Sequence, residues 1–584
     1  MVSLRLIVAG LCVVSPALAA RLPAAETTAA DLLPASVVGY LDVPQPDEAL
    51  ALVLDHPLAA EAAKAPEYQK ALETPQYQKF QAALADFQRR LGATWRDAFT
   101  QLTSGGVTVA FDLPTKGVVA LSQAQDEPTA AKALSAFLDM ARQAAAAEGH
   151  PGLVKEDKHA DTAVFEIGEA HLAVHGKWVV LASKKPLLRS VLDLAREPGE
   201  SLAGDDQFQR VLKERPDRAA AWLYADLRVL RLAGVLKKAL DKKSDNPPAE
   251  ILAGGVLGAL PDAPYVTASL DMNASRLALT ASLPCDAKEV AKSREFYLGP
   301  EAAGVAPPLL APKDTLLAVS TYRDFASLWR HAPDLFDDGI NAKFAEAESN
   351  LTTFFAGRNF RDEILGNLEP GVQVVVARQE FPQEGLTPAI KLPAVAGVFR
   401  MKRPEETTRI FKVTFQSAVG FLNVVGAMNR VDPLDLNSEK LDGALVISGS
   451  YLPPAADKPK DEAPLHYNAS PTLAFVGDRF ILASARPLAL ELVEHVRREA
   501  PPAAEKTNTT LKLDGRVAQA SLAENRGPLI AQNMLEKGHD RAAAEHEIDR
   551  LLAALRHVDG ASLDLRVAEK TLELSLEVRL AGGK

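Results

Sequence analysis

The chain predicts an α+β fold: two tandem copies of an antiparallel-sheet-plus-helices domain, with the helices laid on one face of each sheet. Three observations predict it. The hydrophobic period switches repeatedly between strand-like and helix-like along each half. Short strand-like runs follow one another through tight connections, which favours antiparallel pairing, and the strict strand–helix alternation of a parallel sheet is missing. Segments of the first half also recur, in the same order, in the second.

Within the first copy, Val37–Val43 alternates weakly and opens as a strand. Tyr68–Leu91 is polar but places Leu72, Phe80, Leu84, Phe87 and Leu91 at helical spacing. Thr94-Trp95-Arg96-Asp97 has the spacing of a capping box, and its acid suits a helix N-terminus. Val107–Phe111 and Val118–Leu121 are strands joined by the hairpin-like DLPTKG. Ala130–Ala147 is Ala-rich and helical, and Ala163–Ile167, His171–His175 and Trp178–Ala182 are strand-like. A helix follows at LASKKPLLRSVLDLA, Leu181–Ala195. Ser183 stands where an N-cap would be, Pro186 falls in the first turn, and Leu187, Leu188, Val191, Leu192 and Ala195 make one face. Trp222–Leu227 is a strand, Arg228–Leu240 and Ala249–Leu260 are helices, and Val266–Met272 with Leu277–Leu283 closes the copy as a hairpin.

The second copy repeats five of these pieces. The segments beginning at Leu32, Thr94, Gly117, Leu181 and Ala268 answer to those beginning at Leu309, Asn359, Gly397, Leu482 and Ala561. LASARPLALELVEHV, Leu482–Val496, carries the same signals: Ser484 at the cap, Pro487 in the first turn, and an apolar face of Leu488, Ala489, Leu492, Val493 and Val496. The stretch LPPAADKPKDEAP, Leu452–Pro464, has no counterpart in the first copy and reads as an exposed loop. These marks place one repeat domain at residues 32–284 and the other at 309–580. The Pro- and Gly-containing residues 285–308 read as a linker, and residues 20–31 as a flexible arm.

The first nineteen residues carry Arg5, an apolar run and the small-x-small Ala17-Leu18-Ala19, so they read as a signal peptide cleaved after Ala19. Cleavage takes Lys+Arg from 65 to 64 against 76 acids, a net charge of -12. That balance argues against nucleic acid, which needs a basic footprint. The cluster Lys237-Lys238…Lys242-Lys243 reads as capping of a helix C-terminus. Cys285 alone remains after cleavage, so export without an internal disulfide is expected. Beyond the signal, no transmembrane segment is expected: the apolar stretches Ile251–Leu260 and Ala418–Met428 are short, contain Gly and read as buried helix.

No cofactor, metal or catalytic residue is expected. His171 and His175 on one strand lie ~13 Å apart, and His539 and His546 two helical turns apart lie ~10 Å apart, too far to share an ion. DLFDDG, Asp334–Gly339, lacks the alternating acids of a calcium loop. No GxSxG elbow, Walker A loop or dinucleotide fingerprint occurs, and Gly254–Gly258 reads as close helix packing. Asp271 and Asp564 alternate with apolar neighbours and read as solvent-facing. The one repeated feature that folding does not demand is a cation near a helix N-terminus, Lys185 and Arg486, where the dipole disfavours it. An anion or lipid-phosphate contact is the expectation attached to those two residues.

The Leu33-Pro34-Ala35-Ser36 opening, the strand Trp222–Leu227 and the Leu-Ala-Ser-x-Lys/Arg-Pro-Leu turns at Leu181 and Leu482 resemble large exported bacterial proteins classed as a domain of unknown function. The resemblance spans most of the chain and implies an exported, duplicated α+β protein, with no catalytic residues to carry over. The expected function is a non-enzymatic exported protein that binds an envelope protein or scaffolds others in the periplasm or at the cell surface. A carrier of an apolar or lipid-like ligand is the alternative, and a hydrolase assembled from scattered residues the third.

Overall fold

The computed structural model describes residues 27–235, 243–286, 290–381, 387–451, 463–498, 507–568 and 570–581. The signal peptide, the Ala19 cleavage point, most of the arm, Lys237, Lys238 and Lys242, and most of the Leu452–Pro464 loop lie outside the described residues. The described chain forms two compact units: residues 27–235 with 264–281, and residues 243–263 with 282–581.

The first unit is built on β1 (Val37–Val43), β2 (Val107–Asp112), β3 (Gly117–Gln123), β4 (Val154–His159), β5 (Thr162–Ile167), β6 (Ala170–His175), β7 (Trp178–Ala182), β8 (Ala221–Asp226) and β9 (Tyr265–Asn273). They pair antiparallel in the order β9-β8-β1-β2-β3-β7-β6-β5-β4. A further strand, β10 (Arg276–Pro284), pairs with β9. The second unit is built on β11 (Thr315–Thr321), β12 (Leu368–Ala377), β13 (Ala394–Met401), β14 (Leu434–Leu441), β15 (Ala444–Tyr451), β16 (Thr472–Val476), β17 (Arg479–Ala483), β18 (Thr507–Asp514), β19 (Val558–Ala568) and β20 (Thr571–Leu580). Its antiparallel order is β20-β19-β18-β11-β12-β13-β17-β16-β15-β14. The class is α+β, and the two units have the same strand order.

Helices cover both sides of the first sheet, not one. The cause is legible in β7, whose residues Trp178-Val179-Val180-Leu181-Ala182 are all buried, as a continuous apolar run without alternation requires. Val180 and Ala182 pack under Leu187, Leu188, Val191 and Leu192 of the helix Lys185–Arg196. Val179 packs with Ala130 and Ala133, and Leu181 with Leu138, all from the helix Glu127–Ala147 on the opposite side. The sheet ends in β4, whose exposed Lys155, Glu156, Asp157 and Lys158 blunt a free edge against pairing with another chain.

Residues 285–308, read from sequence as a linker, contain the short helix Glu295–Leu298 with Phe296, Tyr297 and Leu298 buried. Tyr297 is anchored within the second unit. Its hydroxyl donates to the Leu252 carbonyl at 2.7 Å, and the Asn508 side-chain amide donates to its carbonyl at 2.9 Å. The Tyr297 ring fills the space over Gly255, where an added Cβ would come within 2.1 Å of ring carbon Cδ1. Gly254–Gly258 is therefore a packing notch.

Candidate functional site

The LASxxPL turn is the place to begin, because it occurs in both units. Ser183 and Ser484 are not the N-caps. Lys184 and Ala485 occupy that position, with no side-chain cap bond. Each serine instead finishes the sheet. Ser183 donates its amide to the Val118 carbonyl at 2.9 Å and accepts the Val118 amide on its hydroxyl at 2.9 Å. Ser484 does the same with Val395, at 2.8 and 2.9 Å. The physical reason lies next door: a proline in the first turn has already removed one of the orphan amides a cap would serve. The hydroxyl is worth more completing the ladder to β3 or β13.

Lys185 and Arg486 are each held by a carboxylate of the edge strand in their own unit. Lys185 Nζ lies 2.8 Å from Asp157 of β4, which Arg189 also approaches at 3.4 Å. Arg486 Nη2 lies 2.5 Å from Glu439 of β14. The hydrogen bond from Lys185, with a second from the Lys158 amide, holds the Asp157 carboxyl below the usual carboxylate range. In both units the cation ties a helix N-terminus to the equivalent edge strand. An anion arriving there meets a cation already engaged.

Beside Arg486 the second unit has a cleft of about 260 Å³. Its floor is apolar, from Ala377, Ala394, Ala485 and Leu488, and its rim carries Lys313, Asp314, Arg378, Glu380 and Glu491. The rim charges largely satisfy one another: Lys313 to Glu380 at 2.8 Å, Arg378 to Glu524 at 2.6 Å and to Asp314 at 3.4 Å. Arg378 Nε is buried without an acceptor. The lining includes no Ser, Cys or His, so it offers neither a hydroxyl or thiol nucleophile nor an imidazole base.

The largest departure from the sequence reading is the helix Pro404–Met428. It is long and apolar enough to cross a membrane by length and composition, yet only 11% of its apolar window is buried. Ala418–Met428 is thus not buried helix. Phe411 and Phe415, from the first half, pack against Met401, Leu473, Phe475 and Phe480. From Val413 onward the helix also turns apolar residues outward: Val413 is 57% exposed, Phe421 66%, Val424 63% and Met428 80%. On the same side of the sheet as Phe480, Leu482 is 47% exposed, whereas its counterpart Leu181 is 1% exposed. Ile251–Leu260 is also only partly buried, with Leu252 and Leu257 exposed.

Most of the remaining marked residues have structural roles. Thr94 and Asp97 form the predicted capping box. Asn359 caps by accepting the Asp362 amide at 2.8 Å, but Glu363, not Asp362, reaches back to the Asn359 amide at 2.7 Å, leaving Asp362 to pair with Arg361. Asp337 of DLFDDG accepts the Ile340 amide at 2.9 Å as a helix cap. His175 Nδ1 sits 3.2 Å from the Thr162 hydroxyl, and His539 Nδ1 lies 2.9 Å from Asn533. Asp271 pairs with Arg276 and Asp564 accepts from Thr510, both from partly exposed positions.

Sequence reasoning missed the outward face of Pro404–Met428. The signal was present: no charge occurs between Lys412 and Arg430. Hydropathy alone does not separate a buried helix from an exposed one, and the glycines at 420 and 426 suggested packing.

No family model and no curated protein matches the chain. Among solved structures, crystal form I of TP0453 is similar over 45% of this chain and 80% of that one, at 11% identity and a TM-score of 0.25. Crystal form IV of TP0453 is similar over 44% and 81%, at 10% identity and a TM-score of 0.24. Likenesses this weak carry no argument about function.

Proposed function

We propose that this is an exported, non-enzymatic protein of the cell envelope that works by binding through its surface, and that its two units descend from one duplicated domain. The observation that carries the binding reading is a difference between equivalent elements. The helix Glu127–Ala147 follows β3 and precedes β4, and its exposed positions include Lys132, Ser135, Asp139 and Arg142. The helix Pro404–Met428 follows β13 and precedes β14, the same place in the strand order, and exposes Val413, Phe421, Leu422, Val424, Val425 and Met428. A fold that is satisfied by a polar outer face in one copy does not need an apolar one in the other. Exposed apolar surface of this kind marks an interaction site. The polar rim and paired charges of the 260 Å³ cleft favour neither an apolar-ligand carrier nor a hydrolase.

The test is fractionation of the chain from its own host. The wild-type protein is expected outside the cytoplasm and associated with the envelope. Phe421→Glu/Val424→Glu is expected to shift it to the soluble exported pool, and the control Ala131→Glu/Ser135→Glu, which adds the same charge to the first unit's helix, is not. A face variant that fractionates like wild type overturns the reading, as does a wild-type chain retained in the cytoplasm.

A further inference from the structure

Resting on that reading, we infer that the partner of the Pro404–Met428 face is a phospholipid surface, into which the helix lies flat along residues 413–428. The face is a stripe. Val413, Ser417, Phe421, Val424 and Met428 succeed one another at intervals of three and four residues, so they project from one side of the helix. Over the ~24 Å from Val413 to Met428, at ~1.5 Å per residue, the segment carries no charged side chain on any side. Of the polar residues it does carry, Gln416 and Ser417 are exposed and uncharged. A protein partner is normally met by a core-and-rim surface with aromatic and Arg anchors seated in pockets. This surface is an uncharged apolar stripe along one helix, which is what the acyl boundary accepts.

Charge placement at the two ends of the stripe points the same way. Arg409 and Lys412 lie at its start and Arg430 just past its end. None of the three forms an ion pair with a described residue, although Glu405 and Glu406 lie in the same helix's first turn and Arg358 and Arg403 pair with Glu406. Arg430 sits in the left-handed conformation at φ 57°, directly after the helix ends. Unpaired cations flanking an uncharged apolar helix segment can reach lipid phosphates while their stems stay with the apolar phase. The chain as a whole is acidic, with a net charge of -11, so long-range attraction does not bring it to an anionic bilayer. Local insertion of the stripe has to supply the binding, and the three cations add to it only once the helix is at the surface.

The experiment is flotation of the full chain with vesicles of phosphatidylcholine alone and of phosphatidylcholine mixed with phosphatidylglycerol. The apolar run at the N-terminus is common to every variant, so differences report on the helix. Wild type is expected to float with both and more tightly with the mixture. Phe421→Glu/Val424→Glu is expected to weaken partitioning on the order of 100-fold, while Ala131→Glu/Ser135→Glu leaves it unchanged. Arg409→Gln/Lys412→Gln/Arg430→Gln is expected to lose ~10-fold or more on the anionic vesicles and little on the neutral ones. All substituted helix positions are outward-facing or flanking, and unchanged thermal melting confirms that each variant folds. A face variant that floats like wild type overturns the inference. So does a chain that ignores vesicles but dimerises in sedimentation, with the dimer lost in Phe421→Glu/Val424→Glu; the occupant is then a second copy. Envelope association in the host that needs Phe421, with no flotation on pure lipid, overturns the lipid assignment and leaves the binding reading standing.

Discussion

Gly255→Ala tests the packing notch, and the structure sets the size of its effect. An added Cβ would stand 2.1 Å from Tyr297 Cδ1, where ordinary contact begins near 3.4 Å. The ring therefore has to move by more than 1 Å, and it is not free to do so. It is fully buried, its hydroxyl is bonded to the Leu252 carbonyl, and the Arg323 guanidinium lies 3.5 Å over its face. Overpacking costs ~1–3 kcal/mol. Displacing the ring also forfeits about 1 kcal/mol for the hydroxyl bond and about 2 kcal/mol for a desolvated cation–π contact. Helix propensity returns about 1 kcal/mol when Gly becomes Ala. The net expectation is a destabilisation of roughly 4 kcal/mol, a large share of a typical ~5–15 kcal/mol. Gly420→Ala is the matched control: it lies in the helix Pro404–Met428 with nothing within 4 Å of an added Cβ, so it should stabilise by about 1 kcal/mol. Urea denaturation with an unchanged slope reads both. Gly255→Ala as stable as wild type, or Gly420→Ala destabilised to the same degree, would refute the notch.

Three further outcomes follow from the same geometry. Ser183→Ala and Ser484→Ala each strip an acceptor from a strand amide and should cost ~1 kcal/mol in chemical denaturation, whereas a cap-only role would make Lys184→Ser stabilising. Arg323→Ala should cost ~3 kcal/mol or more, because it removes a donor from the Ile251 carbonyl, leaves the Asn508 side-chain oxygen with the Thr509 hydroxyl, and empties a buried volume; burial already pushes this guanidinium down to about 10, partly opposed by Tyr297, so its charge is held at a cost. His171 is lowered by burial, with charges around it that partly cancel, and its Nδ1 has no acceptor or donor partner. A base whose folded value lies below its unfolded one loses stability as pH falls below about 6.5, so thermal melting of the first unit should decline from pH 7 to pH 5, and His171→Gln should flatten that decline.

What the sequence revealed depended on how far apart the decisive partners lie along the chain. The Thr94–Asp97 box, the Gly254–Gly258 notch and the α+β class rest on spacing within a few residues, and each could be read locally. Ser183 was misassigned for a specific reason. A serine at a strand end before Lys-Lys-Pro satisfies the local signals of a cap, but its real partner, Val118, is sixty-five residues away in β3. Lys185 presented the same difficulty, since Asp157 reaches it through the hairpins β4–β7 rather than through the helix it introduces. In the second unit the Asn359 cap is served by Glu363, one residue later than the box pattern expects, because that segment winds more loosely than an α-helix.

The shared strand order makes each unit a point of comparison for the other. Features kept in both units, the serine that ends the ladder and the cation locked to the edge strand, are explained by folding in both. Features present in one unit only are not demanded by the shared strand order. Leu181 is sealed beneath Leu138, yet Leu482, at the same register mark, is open. The helix in the equivalent place packs Phe411 and Phe415 on the sheet but turns Phe421, Val424 and Met428 outward. Restoring a polar outer face to that helix, with Val413→Lys, Phe421→Glu, Val424→Lys and Met428→Glu on the pattern of the first unit, should leave stability within about 1 kcal/mol, because exposed positions contribute little to folding. A loss of several kcal/mol, measured by urea denaturation of the monomer, would mean the apolar stripe is buried in the native protein and that the fold, not a partner, demands it.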